Sequence, residues 1–413
     1  MNVFRRSAAA LAAAAVIGAA APAVAATPSP SPSAALPAGL YGTSDPKYDG
    51  VWRQSLALLA QDEAGVKPAA QAVDWLVGQQ CANGSFAPFR ADAAKACDAK
   101  VMADTNNTAA AVQALAALGG YDAARGKAVT WLKSVQNKDG GWGYTAGGPS
   151  DANSTAVVIG ALNAAGEKPA QVAKGGKSPY DALLTFALPC DGKDAGADAG
   201  AFAFQPDKKG KLAANPDATA AAVVGALGKG LTGAAAKPTG TAATCKDASS
   251  PEQAAQNGAA YLTKALAKDH HLTTALPGAK PQPDYGNTAD AVLALTTAGQ
   301  GDQAAGAVRW LEANAGPWAE QAGPAAYAEL ILAAKAYGAN VHDFGGQDLV
   351  RLLNATGPKP AATATTSAKA ADKTSDKKDD SGSGSGFGVW WIVAVFLVAG
   401  IGIGFLLSAR NKR

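Results

Sequence analysis

The chain has 413 residues, of which 48% are hydrophobic and 17% charged, with a formal net charge of +3. This length and apolar content are sufficient for a sizeable core within one large domain. The small positive charge is spread over linkers and loops and does not form the basic surface that binds nucleic acid, so no nucleic-acid partner is expected.

The first predicted element is an export signal. Arg5 and Arg6 precede an Ala-rich apolar stretch that ends in Ala23-Val24-Ala25. This pattern predicts a secretory signal peptide over residues 1–26 and an exported mature chain. Residues 27–40 follow as an extended arm rich in Pro and Ser.

A structural unit of roughly fifty to sixty residues is repeated along the chain, and such a repeat constrains the fold before any local pattern does. The pattern Val-x-Trp-Leu occurs at Val73–Leu76, Val129–Leu132 and Val308–Leu311. The second copy continues into Gln136–Trp142, and the first into the weaker Gln80–Phe86. These stretches recur in register.

A second repeated element places Asp or Asn four residues before a Thr-Ala pair. Its copies are Asp104–Ala109, Asp151–Ala156, Asn215–Ala220 and Asp284–Ala289. Short side chains with an oxygen acceptor suit a helix N-cap, and a negative charge suits the positive end of the helix dipole. Apolar residues recur four and seven positions after each Thr, which is a helical period.

The whole pattern predicts twelve helices in six pairs. They are expected near residues 51–62, 67–79, 106–119, 122–136, 152–166, 179–188, 216–229, 251–268, 286–299, 301–314, 323–338 and 345–354. Slim helices rich in Ala and Gly alternate with helices that carry a bulky aromatic residue. This alternation favours an inner ring with an outer ring packed around it, an α6/α6 toroid over residues 41–355.

These motifs support a resemblance to a known superfamily. The stretch Gln136–Trp142 and the Asp-x-Asn-x-Thr-Ala helix starts resemble the repeats of the terpenoid cyclases and protein prenyltransferases, whose fold is an α6/α6 toroid. The helix pattern is also similar to the helical domain of the cobalamin carriers, intrinsic factor and transcobalamin. The resemblance implies a cavity that takes either a cobalamin-like corrinoid or an isoprenoid or other lipid. The cobalamin carriers hold their ligand with a β domain that this chain lacks, so a separate partner protein would complete the clamp.

The chemical motifs of the enzyme families are missing. Squalene-type cyclases use an Asp-x-Asp-Asp acid, and the nearest stretch here, Asn215–Ala218, lacks paired carboxylates. The zinc-ligand set of prenyltransferases has no counterpart, and Cys81 does not lie in a thioester motif. The sequence therefore predicts a binding protein with no catalytic residue, metal or bound cofactor. A divergent cyclase or prenyltransferase and a structural or adhesive scaffold remain as alternatives.

Seven side chains are candidates for contact with a ligand: Asp104, Asp151, Asp217, Asp284, Trp142, Tyr144 and Tyr285. If the Thr-Ala helices form the inner ring, the four Asp residues gather at one end of its cavity. The simpler interpretation is that they cap helices and that Trp142 locks its repeat. Trp75, Trp131 and Trp310 are predicted to pack the outer ring, and His270 and His271 to be solvated.

The four cysteines form an even set in an exported chain, which favours disulfides. Cys81 and Cys97 flank one loop, and Cys190 and Cys245 flank the next irregular region, so pairing of neighbours is favoured. A zinc site is the alternative interpretation.

The carboxyl-terminal region predicts a membrane anchor. Residues 356–387 are rich in Lys, Asp, Ser and Gly and are expected to form a disordered tether. Residues 388–408 are apolar or glycine and long enough for one transmembrane helix, and the basic residues 409–413 follow. The chain is therefore expected in the cell membrane, with its domain extracellular.

Overall fold

The protein is described by a computed structural model that covers residues 37–97, 102–191, 196–274 and 280–361. The predicted signal peptide, transmembrane helix and basic tail, and most of the predicted tether, lie outside the described residues. Within these ranges, every helix is too short or too polar to cross a bilayer.

The described residues form twelve α-helices and one small sheet. The helices are α1 (Gly50–Glu63), α2 (Ala70–Gly78), α3 (Thr105–Leu118), α4 (Asp122–Ser134), α5 (Ala152–Ala164), α6 (Pro179–Leu184), α7 (Pro216–Ala226), α8 (Pro251–Leu266), α9 (Tyr285–Thr297), α10 (Gly301–Ala322), α11 (Pro324–Tyr337) and α12 (Leu349–Ala355). Strands β1 (Leu272–Thr274) and β2 (Gln282–Asp284) pair antiparallel before α9. Short 3₁₀ turns lie at Pro169–Gln171 and Gly196–Asp198.

The odd-numbered helices form a closed inner ring. Each packs against the next in the order α1, α3, α5, α7, α9 and α11, and α11 packs back against α1. Each even-numbered helix packs outside the odd-numbered helix that precedes it. The structure thus confirms the predicted α/α toroid.

Small residues allow the inner helices to approach one another closely. A methyl group added at Gly225 on α7 would lie 2.7 Å from the Cβ of Ala156 on α5. The inner faces of α3 and α5 are almost continuously buried. Dense packing of this kind leaves little room for larger side chains, which is why the inner helices are rich in Ala and Gly.

The threonine of each Thr-Ala pair holds the loop that precedes its helix. The hydroxyl oxygen of Thr155 accepts a hydrogen bond from the backbone amide of Trp142 at 3.1 Å. Thr108, Thr219 and Thr288 accept the amides of Phe86, Phe202 and Leu272 in the same way, each at 2.9 Å. The four residues that donate these amides are buried. The repeated threonine is therefore a structural clamp.

Backbone hydrogen bonds also join neighbouring repeats at one end of the ring. The amide of Val51 donates to Pro88 in the loop before α3, and that of Thr105 to Tyr144 in the loop before α5. The amide of Ala152 donates to Phe204 in the loop before α7. The inner helices therefore begin at the same end of the toroid, which we call the amino-terminal face.

The ring is closed by contacts between the two ends of the described domain. The amide of Gly42 donates to the carbonyl of Thr356 at 2.8 Å, and Gln61 donates to the side chain of Asn354 at 2.6 Å. Tyr41 is fully buried at this seam, against the backbone of Gly357. The first and last parts of the domain therefore complete one core.

Both predicted disulfides are confirmed. Cys81 is bonded to Cys97 and Cys190 to Cys245, and none of the cysteines is free. The zinc alternative is thereby excluded for these residues. Disulfides persist in oxidising compartments, so the two bonds are compatible with an extracellular location.

Three local predictions need correction. Helix α10 continues to Ala322, beyond the predicted end at residue 314, and carries Pro317 in its interior. The Gly316-Pro317 pair favours a helix end, but Trp318 stacks on Tyr285 at the start of α9 and Ala319 is fully buried, so packing continues past the pair. Helix α12 begins at Leu349, four residues later than predicted. The β1–β2 hairpin was not predicted, because its strands have only three residues each.

Candidate functional site

The centre of the amino-terminal face is lined by equivalent positions of the inner helices. In helices α3, α5, α7, α9 and α11, the second residue is only half-buried. These residues are Asn106, Asn153, Asp217, Gly286 and Ala325. One turn further along α5, α7, α9 and α11, the half-buried residues are Val157, Ala221, Asp290 and Glu329. Since equivalent positions of the inner helices all keep part of their surface accessible, we infer a depression inside the ring, which we call the central depression.

Two of the predicted carboxylates are structural caps. Asp104 accepts hydrogen bonds from the amide and side chain of Asn107, at 2.6 and 2.5 Å. Asp151 accepts from the amide and hydroxyl of Ser154, at 2.6 and 2.8 Å. Both Asp side chains are buried, and their oxygen atoms are used within the repeat. Capping therefore accounts for their position.

Asp217 corrects the prediction of four equivalent caps. Asn215 caps α7 by accepting the amide of Ala218 at 2.9 Å, and Asp217 lies two residues later, inside the first turn. Its carboxylate accepts a hydrogen bond from the side chain of Asn153 at 3.0 Å. Asp284 does cap α9, accepting from the amide and side chain of Asn287. Asp217 therefore belongs to the central depression.

The deepest carboxyl groups were not predicted from the sequence. Asp290 on α9 and Glu329 on α11 lie deep among protein atoms, yet each keeps part of its surface accessible. Asp217 and Asp284 lie within electrostatic range of both. We call Asp217, Asp284, Asp290 and Glu329 the carboxyl cluster. It combines residues from three inner helices.

Burial and mutual repulsion raise the pKa values of this region. Desolvation raises the pKa of Glu329 from 4.5 to about 7, with further increases from Asp284 and Asp217. Desolvation likewise raises the pKa of Asp217 from 3.8 to about 6, and the pKa of Asp290 lies well above its usual value. Burial also raises the pKa of the capping residues Asp104 and Asp151 to about 6. Deep carboxyls of the cluster therefore carry protons up to nearly neutral pH.

An aromatic column adjoins the carboxyl cluster. Tyr285 stacks between Trp310 and Trp318, with ring centroids 5.0 and 5.5 Å away, and His271 stacks on Trp310 at 4.3 Å. All four rings are half-buried. Trp310 packs against the core from the outer helix α10, in line with its predicted role. His271 differs from its predicted role, because it stacks on Trp310 and is not simply solvated. His270 is exposed, as expected.

Four other predicted aromatic residues pack within the repeats. Trp142 is fully buried and its indole donates to the carbonyl of Leu132 at 2.7 Å, so it has no surface to offer a ligand. Tyr144 is half-buried and its hydroxyl donates to Asp104 at 3.4 Å. Trp75 and Trp131 are buried on α2 and α4, as predicted for the outer ring.

The described residues contain no cluster of three or more His, Cys, Asp or Glu side chains placed to hold a metal ion. The carboxyl cluster can act chemically in two ways. Its protonated members can donate a proton, and its ionised members attract a cation.

Comparison with known proteins agrees with this architecture. Residues 52–197 match the family model of the prenyltransferase alpha-alpha toroid domain. This match agrees with the toroid architecture that the repeats indicated. No curated protein matches the chain.

Several solved structures have a similar fold but low sequence identity to this chain. They include an ent-copalyl diphosphate synthase from Streptomyces platensis, 16% identical with a TM-score of 0.48, where the match covers 70% of this chain and 50% of that enzyme. The chain thus spans about half the length of that synthase. A sugar epimerase from a ruminal bacterium is 14% identical with a TM-score of 0.47, over 73% of this chain and 93% of the epimerase. A protein from Actinoplanes is 16% identical with a TM-score of 0.31, over 69% and 99%.

Proposed function

We propose that this protein is a membrane-tethered toroid that binds a small molecule in its central depression, outside the cell, without changing it chemically. The observation that carries the proposal is the state of Asp290 and Glu329. Neither accepts a hydrogen bond or forms an ion pair among the described residues, although both lie deep in the domain.

The charged forms of these carboxyls are unfavourable for folding, because desolvation raises the pKa of both. A buried polar group without a partner costs free energy, and a buried charge costs more. Elsewhere in the same ring, the equivalent positions are Val157 and Ala221, which show that the scaffold does not need an acid there. Groups that destabilise a fold and lie in a depression are typical of functional sites.

The expected location fits a binding role. The predicted signal peptide and anchor would place the domain outside the membrane, and a tether of residues 356–387 would keep it within about 30 Å of the surface. The resemblance implies a corrinoid or an isoprenoid lipid as the ligand, with a partner protein as the second half of a clamp. The carboxyl cluster disfavours a ligand group such as diphosphate in the central depression, because like charges repel.

The proposal is tested on the full chain, purified from membranes into nanodiscs of neutral lipid. Native mass spectrometry should detect one small molecule bound to the protein, and it should be released on unfolding. Glu329→Leu should lose this molecule, whereas Asp302→Asn, at the exposed start of α10, should retain it. An empty wild-type domain would contradict the proposal. Protease shaving of intact protoplasts should remove the domain, which tests the topology separately.

A divergent cyclase is the second candidate, and one observation favours it. Cyclases of the squalene type need a carboxylic acid that keeps its proton, and the raised pKa of Glu329 and the adjoining carboxyl of Asp290 meet that need without an Asp-x-Asp-Asp motif. The purified protein would be incubated with squalene and with geranylgeranyl diphosphate. Cyclised products that disappear in Glu329→Gln and Asp290→Asn would replace the binding proposal.

A further inference from the structure

The carboxyl cluster lacks a positively charged partner within the described part of the chain. Only other carboxylates, Asp217 and Asp284 among them, affect Asp290 and Glu329 electrostatically. The ion pairs of the described residues lie elsewhere; for example, Arg53 pairs with Asp49 and Lys133 with Glu167. The central depression therefore has a strong negative bias on the side of α7, α9 and α11 when its acids ionise.

The aromatic column lies next to the carboxyl cluster. A methyl group added at Gly286 would lie 3.3 Å from a carboxylate oxygen of Glu329 and 3.8 Å from the ring of Trp318. The acid and the indole thus both lie close to the same backbone position. Trp318 stacks on Tyr285, the residue next to Gly286, so the π surface continues from this point.

Carboxylate and aromatic surface together select a particular class of ligand. An organic ammonium group gains Coulomb energy from carboxylates and further attraction from the faces of Trp and Tyr rings. Small metal ions need several oxygen ligands in a fixed arrangement, and the described residues do not provide one.

Apolar side chains lie near the starts of inner helices on the same face. Tyr48, Met102 and Phe204 are the large hydrophobic residues of the described chain that are most exposed, at 76%, 60% and 43%. Tyr48 precedes α1, Met102 precedes α3, and the carbonyl of Phe204 accepts the first amide of α5. The segments that precede or contact the starts of α1, α3 and α5 therefore present apolar surface.

We propose that the central depression binds an organic cation, an amine or quaternary ammonium compound with an apolar body, whose charged group lies between Asp290, Glu329 and the aromatic column. This inference rests on the proposed binding function and names its ligand class. The apolar body would lie towards the exposed hydrophobic residues of the amino-terminal face.

The test uses three probes of similar size that differ in charge: benzyltrimethylammonium, benzyl alcohol and phenylacetate. Each is titrated into the full chain in neutral nanodiscs at pH 8 and followed by isothermal titration calorimetry. We expect only the ammonium probe to bind. Its affinity should fall roughly tenfold or more in Glu329→Gln, in Asp290→Asn and in Trp318→Leu, since each removes one attractive group. Asp302→Asn is the matched surface control and should bind as the wild type does.

Other outcomes would refute the cation site, and they show whether the proposed binding function fails with it. Equal binding of the neutral or anionic probe, or unchanged ammonium affinity in the three variants, would refute a cation site. If native mass spectrometry still finds a bound neutral or anionic compound, the binding function stands and only its ligand class is wrong. If no compound and no probe binds, both fail. Near-ultraviolet circular dichroism identifies any variant that does not fold, and the remaining two variants then decide.

Discussion

The two sides of the inner ring use the same helix positions in opposite ways. On α3 and α5, Asp104 and Asp151 cap the helix starts, and the next turn carries Ala110 and Val157. On α9 and α11, the helix starts carry Gly286 and Ala325, and the next turn carries Asp290 and Glu329. On the first side the carboxylates are used as helix caps, although the side-chain carbonyl oxygens of Asn106 and Asn153 are buried without a hydrogen-bond partner. The second side keeps half-buried acids without hydrogen-bond or ion-pair partners among the described residues. The acids of α3 and α5 therefore serve stability, whereas those of α9 and α11 form the candidate functional site.

The largest expected effect is on the side of the ring where the carboxylates cap helices. Trp142→Ala removes a fully buried indole and its hydrogen bond, and we expect a loss of about 3–5 kcal/mol in the free energy of unfolding. Trp310→Ala, on the other side, removes a half-exposed ring and should cost clearly less. Urea denaturation followed by circular dichroism measures both. Equal losses would contradict the division.

The next effect concerns pH and the side with unpaired acids. A carboxyl whose pKa is higher in the folded than in the unfolded state binds more protons when folded, so the free energy of unfolding should fall as pH rises from about 4 to about 7. Glu329, with a folded pKa of about 7, contributes on the order of 2–3 kcal/mol to this fall. The raised pKa values of Asp290, Asp217, Asp104 and Asp151 act in the same direction. Glu329→Gln should flatten this part of the profile. Thermal melts between pH 4 and 8 measure it, and an unchanged slope would count against the buried, unpaired state of Glu329.

A smaller effect tests the threonine clamp. Thr155→Val keeps the size of the side chain but leaves the buried amide of Trp142 without its acceptor, which should cost about 1–3 kcal/mol. Thr155→Ser retains the hydroxyl and serves as the control. Chemical denaturation should rank the two variants in this order. The reverse order would show that packing of the methyl group, and not the hydrogen bond, matters.

The smallest effects separate caps from site residues. Asp151→Asn keeps an oxygen that can accept the amide of Ser154, so stability should change by about 0.5 kcal/mol or less. Asp284→Asn should be similarly mild for stability, but it should weaken benzyltrimethylammonium binding, because Asp284 belongs to the carboxyl cluster. Differential scanning fluorimetry and calorimetry give the two quantities. Weaker binding in Asp151→Asn alone would move the site to α5.

Much of the fold is predictable because its signals are local. The N-cap and the threonine clamp both lie within a few residues of each helix start, so Asp151 and Thr155 mark α5 in the sequence itself. The inner helices α1 and α11 lack this signal, and their place in the ring follows only from the period of the pairs. The end of α10 depends on packing, which overrides the helix-breaking tendency of Pro317.

The site is less predictable for a different reason. Asp290 and Glu329 each stand alone in an apolar helix, far apart in sequence, and neither lies in a motif. They meet only because α9 and α11 are neighbours in the ring. The Thr-Ala pattern pointed to Asp104 and Asp151 as ligand contacts, but their carboxylates cap helices. One signal was present: an acid interrupts the small apolar residues of the inner-helix pattern at both positions.

The seam between residues near Tyr41 and residues near Thr356 has a consequence for cooperativity. An open array of helical repeats has two ends that expose apolar surface, and it can unravel from either of them one repeat at a time. Here the ends cover each other, so every repeat has two neighbours and no repeat is terminal. A circular permutant that joins residues 37 and 361 and opens the chain at the exposed loop around Gly147 should therefore form the same ring, since the order of repeats around a circle has no natural beginning.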